Sequence, residues 1–169
     1  FAIQDEIAGK VVDALKLKLL APGPPKASAE QDAEAYSLVL QARYFADRRT
    51  KEAYERAADY YQQALARHPD YALAWAGLAR VKINQANNGY VPIAAGIAEA
   101  RAMAEKALRL DPDVADAYGA LGYIYLAFDW DWAAADAAFK RALALAPNDA
   151  RIIGNAVLAA ATLGHFDEA

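Results

Sequence analysis

Apolar residues recur along the chain at the spacing of an α-helix, beginning within its first twenty residues. There they follow one another at four-residue steps, at Ile3, Ile7, Val11, Leu15 and Leu19. Residues four apart lie on one helix face, so the pattern predicts an amphipathic helix over 1–20. Such a helix could lie on a membrane surface or form a coiled coil; we favour the tail of an upstream region, packed onto that region or onto the helices that follow. The stretch APGPPKAS comes next, and its prolines predict a stiff linker over 21–31.

From residue 32 onward, prolines separate the helical segments at regular intervals. Pro69, Pro112 and Pro147 each follow a helical segment and precede an aspartate or asparagine. A proline just past a helix end stops that helix, and the acidic or amide residue after it can cap the next one. The three prolines lie 43 and 35 residues apart. Internal repeats of this length are typical of stacked helix pairs.

One unit shows the pattern of small and large residues within such a pair most clearly. Its first helix reads Tyr118-x2-Leu121-Gly122-x2-Tyr125, and its second reads Ala135-x3-Phe139-x2-Ala142, followed by Pro147. This closely resembles the tetratricopeptide repeat (TPR), in which small residues let two helices cross closely while large ones fill the space between them. The resemblance implies an all-α fold, an alpha-alpha superhelix or TPR solenoid of about three and a half helix-turn-helix repeats. We place this array at 32–169, with repeats at 33–69, 70–112, 113–147 and a truncated one at 148–169.

Two of the repeats exceed a typical length of about 34 residues, and the surplus predicts enlarged turns. The second repeat carries roughly nine extra residues, which we place between its helices in NQANNGYVPIAAG, 84–96. The third carries one extra residue in the phrase FDWDW, 128–132. We expect Trp130 and Trp132 to cover the insertion of the second repeat, and the aspartates to begin the next helix near its positive end; the alternative is an exposed binding patch. In the first repeat, DRRTKEAYE predicts a long link.

Longer phrases resemble one group of bacterial signalling proteins. These phrases are FAIQDEIAGKVVDALKL, AYSLVLQARYFADRRT, HPDYALAWAGLA and AFDWDWAAADAAFKRALALAP. They are similar, in that order, to the C-terminal TPR region of class III adenylate/guanylate cyclases and of winged-helix transcriptional regulators with a TolB-like segment. The resemblance implies that this chain is the sensory or regulatory part of a larger protein, and that repeats continue past its last residue. It carries over no catalytic residue.

Composition and motifs argue against catalysis and nucleic-acid binding. The net charge is −4 with both signs interspersed, so the basic stripe of a nucleic-acid-binding protein is missing. There is no cysteine and there are two separate histidines, His68 and His165, and no phosphate-binding or nucleophile motif stands in the sequence. We therefore expect no enzyme activity, no cofactor and no metal site. No run is apolar for long enough to span a membrane. The absence of cysteine fits the cytoplasm, which we favour, and equally the periplasm.

A helical array of this kind offers its inner face for recognition, since the first helix of each repeat lines it. The fifth positions of these helices are small, at Ser37, Ala76, Gly119 and Gly154, which leaves room for a partner. The groove residues that we predict around them are Gln41, Tyr44, Arg80, Asn84, Tyr123, Arg151 and Asn155. They suit an extended peptide held through its backbone, or a partner helix with acidic groups.

This chain differs from chaperone-binding TPRs at the helix positions that hold the ligand of those repeats. Those repeats hold a C-terminal carboxylate with lysine at the fifth and asparagine at the ninth position, and this chain has no lysine at any fifth position. We therefore predict a protein-protein interaction scaffold that binds a peptide, a partner protein or a neighbouring domain, and not a chaperone-tail clamp. The alternative is self-association, with a homodimer formed through the uncapped last repeat.

Overall fold

The computed structural model describes residues 26–163, with side chains from 33 to 162. The chain divides into two units, Phe1–Ala33 and Glu34–Ala169, and the described side chains belong almost wholly to the second. The amphipathic helix predicted over 1–20 and the first part of the predicted linker lie outside the described residues.

Seven α-helices follow one another in the described residues, with short turns between them and no strand. Their bounds are α1 Lys26–Ala46, α2 Lys51–Arg67, α3 Ala72–Asn87, α4 Ile93–Leu110, α5 Ala115–Ile124, α6 Trp132–Leu145 and α7 Ala150–Leu163, and a π-helical turn, Tyr125–Asp129, extends α5. Helices α3 and α4 pack together, as do α5 and α6, and each pair contacts the next. The all-α prediction of repeated helix pairs is thereby confirmed, with α7 as the first helix of the fourth repeat.

The helix boundaries correct three details of the sequence interpretation. Helix α1 begins at Lys26, so the last residues of the predicted linker are helical. The first repeat has a short link, 47–50, because the Oγ1 of Thr50 accepts a hydrogen bond from the N–H of Ala53 at 3.2 Å and caps α2 there. In the second repeat the extra residues lengthen α3 and α4 to 16 and 18 residues, leaving a short turn around Gly89.

Buried alanines make up much of the core, and two large rings pack against glycines. Within the third repeat, the ring of Phe139 on α6 lies against Gly122 on α5, and a Cβ added to that glycine would lie 2.9 Å from the ring. Between the first and second repeats, the ring of Tyr61 on α2 lies closer still to Gly77 on α3. Both rings are almost completely buried. The packing predicted for the third repeat from Gly122 and Phe139 is therefore confirmed.

The FDWDW turn differs from the prediction in which of its side chains pack inward. Phe128 packs beside Tyr123, with ring centroids 6.3 Å apart, whereas Trp130 and Trp132 are 73% and 44% exposed. The prediction that the two tryptophans are buried over the neighbouring insertion was wrong. The extra residue widens the helix end into a π-turn, which leaves Trp130 in the left-handed region at φ 59°, and this backbone directs its side chain outward.

The two aspartates of that phrase have separate partners. Asp131 caps α6 as predicted, because its Oδ1 accepts a hydrogen bond from the N–H of Ala134 at 3.0 Å. Asp129 instead accepts two hydrogen bonds from Arg101 on α4, at 2.6 and 2.7 Å. The turn is therefore joined to the preceding repeat by an ion pair and not by the tryptophan rings.

Candidate functional site: the inner groove

Helices α3, α5 and α7 and the turn between α1 and α2 enclose a groove of about 700 Å³. It crosses the first helices of three repeats, as expected for the inner face of a helical array. Five of the seven predicted groove residues line it, namely Arg80, Asn84, Tyr123, Arg151 and Asn155. The sequence positions counted from the helix starts thus converge on one surface.

The other two predicted groove residues, Gln41 and Tyr44, do not line the groove. Both are exposed on α1, and the ring of Tyr44 packs instead under the guanidinium of Arg48, 4.6 Å away. The reason lies in the orientation of α1, whose buried face runs from Ala35 to Ala46 and leaves these two side chains on other faces.

The small fifth positions also divide into two groups. Gly119 and Gly154 line the groove, and a Cβ on Gly154 would have no neighbour within 4 Å. Ala76, in contrast, is fully buried in the contact between α3 and the next repeat, and Ser37 is exposed outside the groove. The room predicted for a partner therefore exists on α5 and α7 but not on α1 and α3.

Several lining residues were missed because they lie outside the helix positions that the repeat pattern selects. Arg49 belongs to the first turn and Tyr54 to α2, while Asn87 and Asn88 end α3. The side-chain amide of Asn87 donates a hydrogen bond to the Oη of Tyr123 at 2.9 Å. The paired asparagines were read as a turn signal, and nothing in their spacing indicated that one of them contacts the neighbouring repeat.

Asp116, near the start of α5, joins three repeats by ion pairs. Its Oδ2 accepts a hydrogen bond from the Nη2 of Arg43 on α1 at 2.6 Å, and its Oδ1 accepts one from the Nη2 of Arg151 on α7 at 3.0 Å. Arg151 is held in addition by Asp149, at 2.6 Å. Burial lowers the pKa of Arg43, but Asp116 and Tyr61 together more than offset this, so the pKa lies above its ordinary value. Both arginines are therefore engaged within the chain.

Arg80 has a different environment, with two buried tyrosines beside it. Burial raises the pKa of Tyr54 and of Tyr61, and the nearby positive charge of Arg80 opposes this rise in both. The Oη of Tyr61 has no partner with hydrogen-bond geometry in the described residues. Arg80 itself is half-buried and has no carboxylate oxygen within 4 Å in the described part of the chain. The groove thus contains a positioned guanidinium without an acidic partner.

A second cavity, of about 530 Å³, lies at the N-terminal ends of α3, α5 and α7 and has the opposite charge. Aspartates dominate its lining, at Asp70, Asp111, Asp113, Asp116 and Asp149. Among the described residues no three His, Asp or Glu side chains are placed to hold a metal ion. None of the described helices combines the length and apolarity that crossing a bilayer requires.

Comparison with known proteins identifies the fold. Neither the known family models nor the curated proteins contain a match to this chain, whereas many solved structures match it. The Thermus thermophilus protein TTC0263, a thermophilic TPR protein, is 21% identical, with a TM-score of 0.66 over 98% of this chain and 81% of that one. The first TPR domain of human RPAP3 is 17% identical, with a TM-score of 0.58 over 80% and 97%.

A third solved structure, the first TPR of Spaghetti (RPAP3) bound to the HSP90 peptide SRMEEVD, is 17% identical. Its TM-score is 0.55 over 78% of this chain and 94% of that one. At these identities the likeness concerns the fold. The predicted tetratricopeptide solenoid is therefore confirmed.

Proposed function

We propose that this chain is a non-catalytic scaffold that binds an extended segment of a partner protein in its inner groove. The proposal depends chiefly on the convergence of Arg80, Asn84, Tyr123, Arg151 and Asn155 on one cavity of about 700 Å³. Amide and hydroxyl groups along such a groove can donate hydrogen bonds to, and accept them from, a peptide backbone.

A neighbour of the same fold supports this use of the groove. The Spaghetti structure contains a bound peptide, so the arrangement of helix pairs is one that can hold an extended chain. The match covers 78% of this chain, which includes most of the array. Peptide binding is proposed because the fold and the open groove are both compatible with a bound peptide.

The test uses the whole chain and a library of random heptapeptides with blocked ends. We expect wild-type protein to select a subset of peptides, and Gly154→Trp to lose them, because the indole would fill the open space beside Gly154. A matched control is Ala133→Trp on the exposed side of α6, away from the groove. Selection by neither protein, or equal selection by wild type and Gly154→Trp, would refute the proposal.

Self-association is a second candidate, favoured by the apolar side chains on α7. Ile153, Val157 and Leu158 are 39%, 39% and 52% exposed, and a second copy of the chain could bury such an apolar face. We expect Val157→Lys to remove any dimer seen by light scattering at high concentration. A wild-type chain that remains monomeric at all concentrations would exclude this candidate.

The sequence resemblance to bacterial signalling proteins supplies the proposed context. In that context the scaffold serves as the sensory or regulatory part of a larger protein whose head is a cyclase or a winged-helix domain. Sequencing the gene upstream of the codon for Phe1 tests directly whether such a head is present. A head of either kind supports the proposal, and any other upstream sequence contradicts it.

A further inference from the structure

The charged side chains that line the groove indicate what kind of partner segment it can bind. Three arginines line it, Arg49, Arg80 and Arg151, together with two aspartates, Asp47 and Asp116. Arg151 and Asp116 are already paired with each other. In the described residues neither Arg49 nor Arg80 has a carboxylate oxygen within 4 Å, although the chain as a whole is acidic, with net charge −4. Apart from the pair of Arg151 and Asp116, the charges that line the groove are the two guanidinium groups of Arg49 and Arg80 and the single carboxylate of Asp47, so the cations are in excess.

Of these two, Arg80 is the one held in place. It is half-buried on α3, one turn after Gly77, and the buried phenols of Tyr54 and Tyr61 lie beside it. A partly buried charge loses hydration and is normally compensated by an opposite charge. A guanidinium also presents a rigid fork of donors that matches the two oxygens of a carboxylate. The site is thus preorganised for a carboxylate that the described residues do not supply.

Asp116 pairs with two other arginines, of which Arg151 lines the groove and Arg43 lines the second cavity. Its side chain is 14% exposed, and both of its oxygens are occupied, one by Arg43 and one by Arg151. It therefore takes the position of a ligand carboxylate within the chain. A partner that carries a negative charge finds Arg43 and Arg151 already neutralised and Arg80 available.

We infer that the partner segment bound in this groove carries an internal aspartate or glutamate side chain, and that Arg80 binds it. This inference rests on the proposed function and specifies its ligand. The acid belongs to a side chain and not to a chain end, because the lining continues on both sides of Arg80, from Arg49 in the first turn to Asn155 on α7.

The experiment compares wild type and two variants on the blocked heptapeptide library. Wild type is expected to enrich Asp or Glu at one position. Arg80→Gln is expected to select peptides without that enrichment. The matched control is Arg43→Gln, which removes the same charge from an arginine already paired with Asp116 and outside the groove lining, and it is expected to retain the enrichment.

Fluorescence anisotropy then measures how much the acidic side chain contributes to peptide affinity. The best peptide should bind wild type at least about tenfold more tightly than its Glu→Gln or Asp→Asn counterpart, as for a hydrogen bond to a charged group. With Arg80→Gln the two peptides should differ by less than about twofold, since the interacting partner is gone. Circular dichroism checks that each variant is folded.

Several outcomes would overturn the inference, and they differ from failure of the proposed function. Peptides selected through the groove without any acidic preference, or a preference that survives Arg80→Gln, would overturn the role of Arg80. Loss of the preference in Arg43→Gln as well would overturn the assignment of the acid to Arg80, because Arg43 is already paired with Asp116. Acid selection only in a library with free C-termini would assign the site to a terminal carboxylate. Absence of any selected peptide would instead refute the proposed function.

Discussion

The contact between Gly77 and Tyr61 gives the sharpest test of how the repeats are held together. A Cβ added at Gly77 would lie 2.5 Å from the Oη of Tyr61 and closer still to two ring carbons, whereas unstrained carbon contacts lie near 3.5 to 4.0 Å. The ring is completely buried and cannot swing into solvent. In Gly77→Ala either the ring or helix α3 must therefore move by about an ångström to restore ordinary contact distances.

The expected magnitude is a balance of two effects. Overpacking of a buried site costs about 1 to 3 kcal/mol, and alanine gains about 1 kcal/mol over glycine as a helix former. Because all three nearest atoms belong to a ring that is fixed by packing, we take the upper part of the range and expect a net loss of about 2 kcal/mol. For a chain of this length that lowers the Tm by about 4 to 8 °C.

Urea unfolding followed by circular dichroism measures this loss, and Gly154→Ala is the matched control. The same substitution there meets open space, so we expect a gain of up to about 1 kcal/mol. Tyr61→Leu in the Gly77→Ala background should remove most of the clash, which a double-mutant cycle detects. If Gly77→Ala is as stable as Gly154→Ala, the close packing of α2 on α3 described here is wrong.

Three further predictions concern helix ends and buried tyrosines. Asp131→Ala should lower the free energy of unfolding by about 1 kcal/mol through loss of the α6 cap, and an unchanged urea midpoint would contradict that cap. Trp130→Gly should raise the free energy of unfolding by about 1 kcal/mol, because the left-handed backbone at φ 59° costs a non-glycine residue about that much. Trp132→Gly, in the first turn of α6, should lower the free energy of unfolding. Equal effects of the two substitutions would contradict the backbone assignment. Burial raises the pKa of Tyr61, so as pH rises the unfolded chain loses the phenol proton before the folded chain does, and stability should fall above about pH 10. The decline in urea midpoint with pH should be shallower in Tyr61→Phe. An equal decline in both proteins would contradict the burial of Tyr61.

The sequence predicted the fold well because the repeat pattern reports on contacts within and between neighbouring helices. Gly122 and Phe139 were paired correctly, since a four-residue step and a small residue opposite a ring define how two helices cross. The fifth positions Ala76, Gly119 and Gly154 agree with helices that begin at Ala72, Ala115 and Ala150, because a proline and a polar residue precede each start. Ser37 does not, since α1 begins at Lys26.

The sequence was less informative about side chains at the ends of helices. Trp130 and Trp132 were predicted to cover the insertion of the second repeat, but the local backbone decides where they point, and the π-turn that sets it has no sequence signature of its own. Tyr44 was placed by counting along α1, whose exposed faces depend on which residues pack against α2. Asp116 was missed because its two partners come from different repeats, 73 and 35 residues away, and no local pattern encodes such a pair.

The π-helical turn at Tyr125–Asp129 has a consequence for how this array varies in length. The carbonyl of Tyr125 accepts hydrogen bonds from the N–H groups of Trp130 and Asp131, so the surplus residue is absorbed within a single turn and α6 still begins on its aspartate cap. The stacking of α5 on α6 is preserved on both sides of the insertion. Single-residue insertions and deletions can therefore accumulate at this corner during evolution without changing which repeats touch, and the same corner is a suitable position for grafting a reporter peptide.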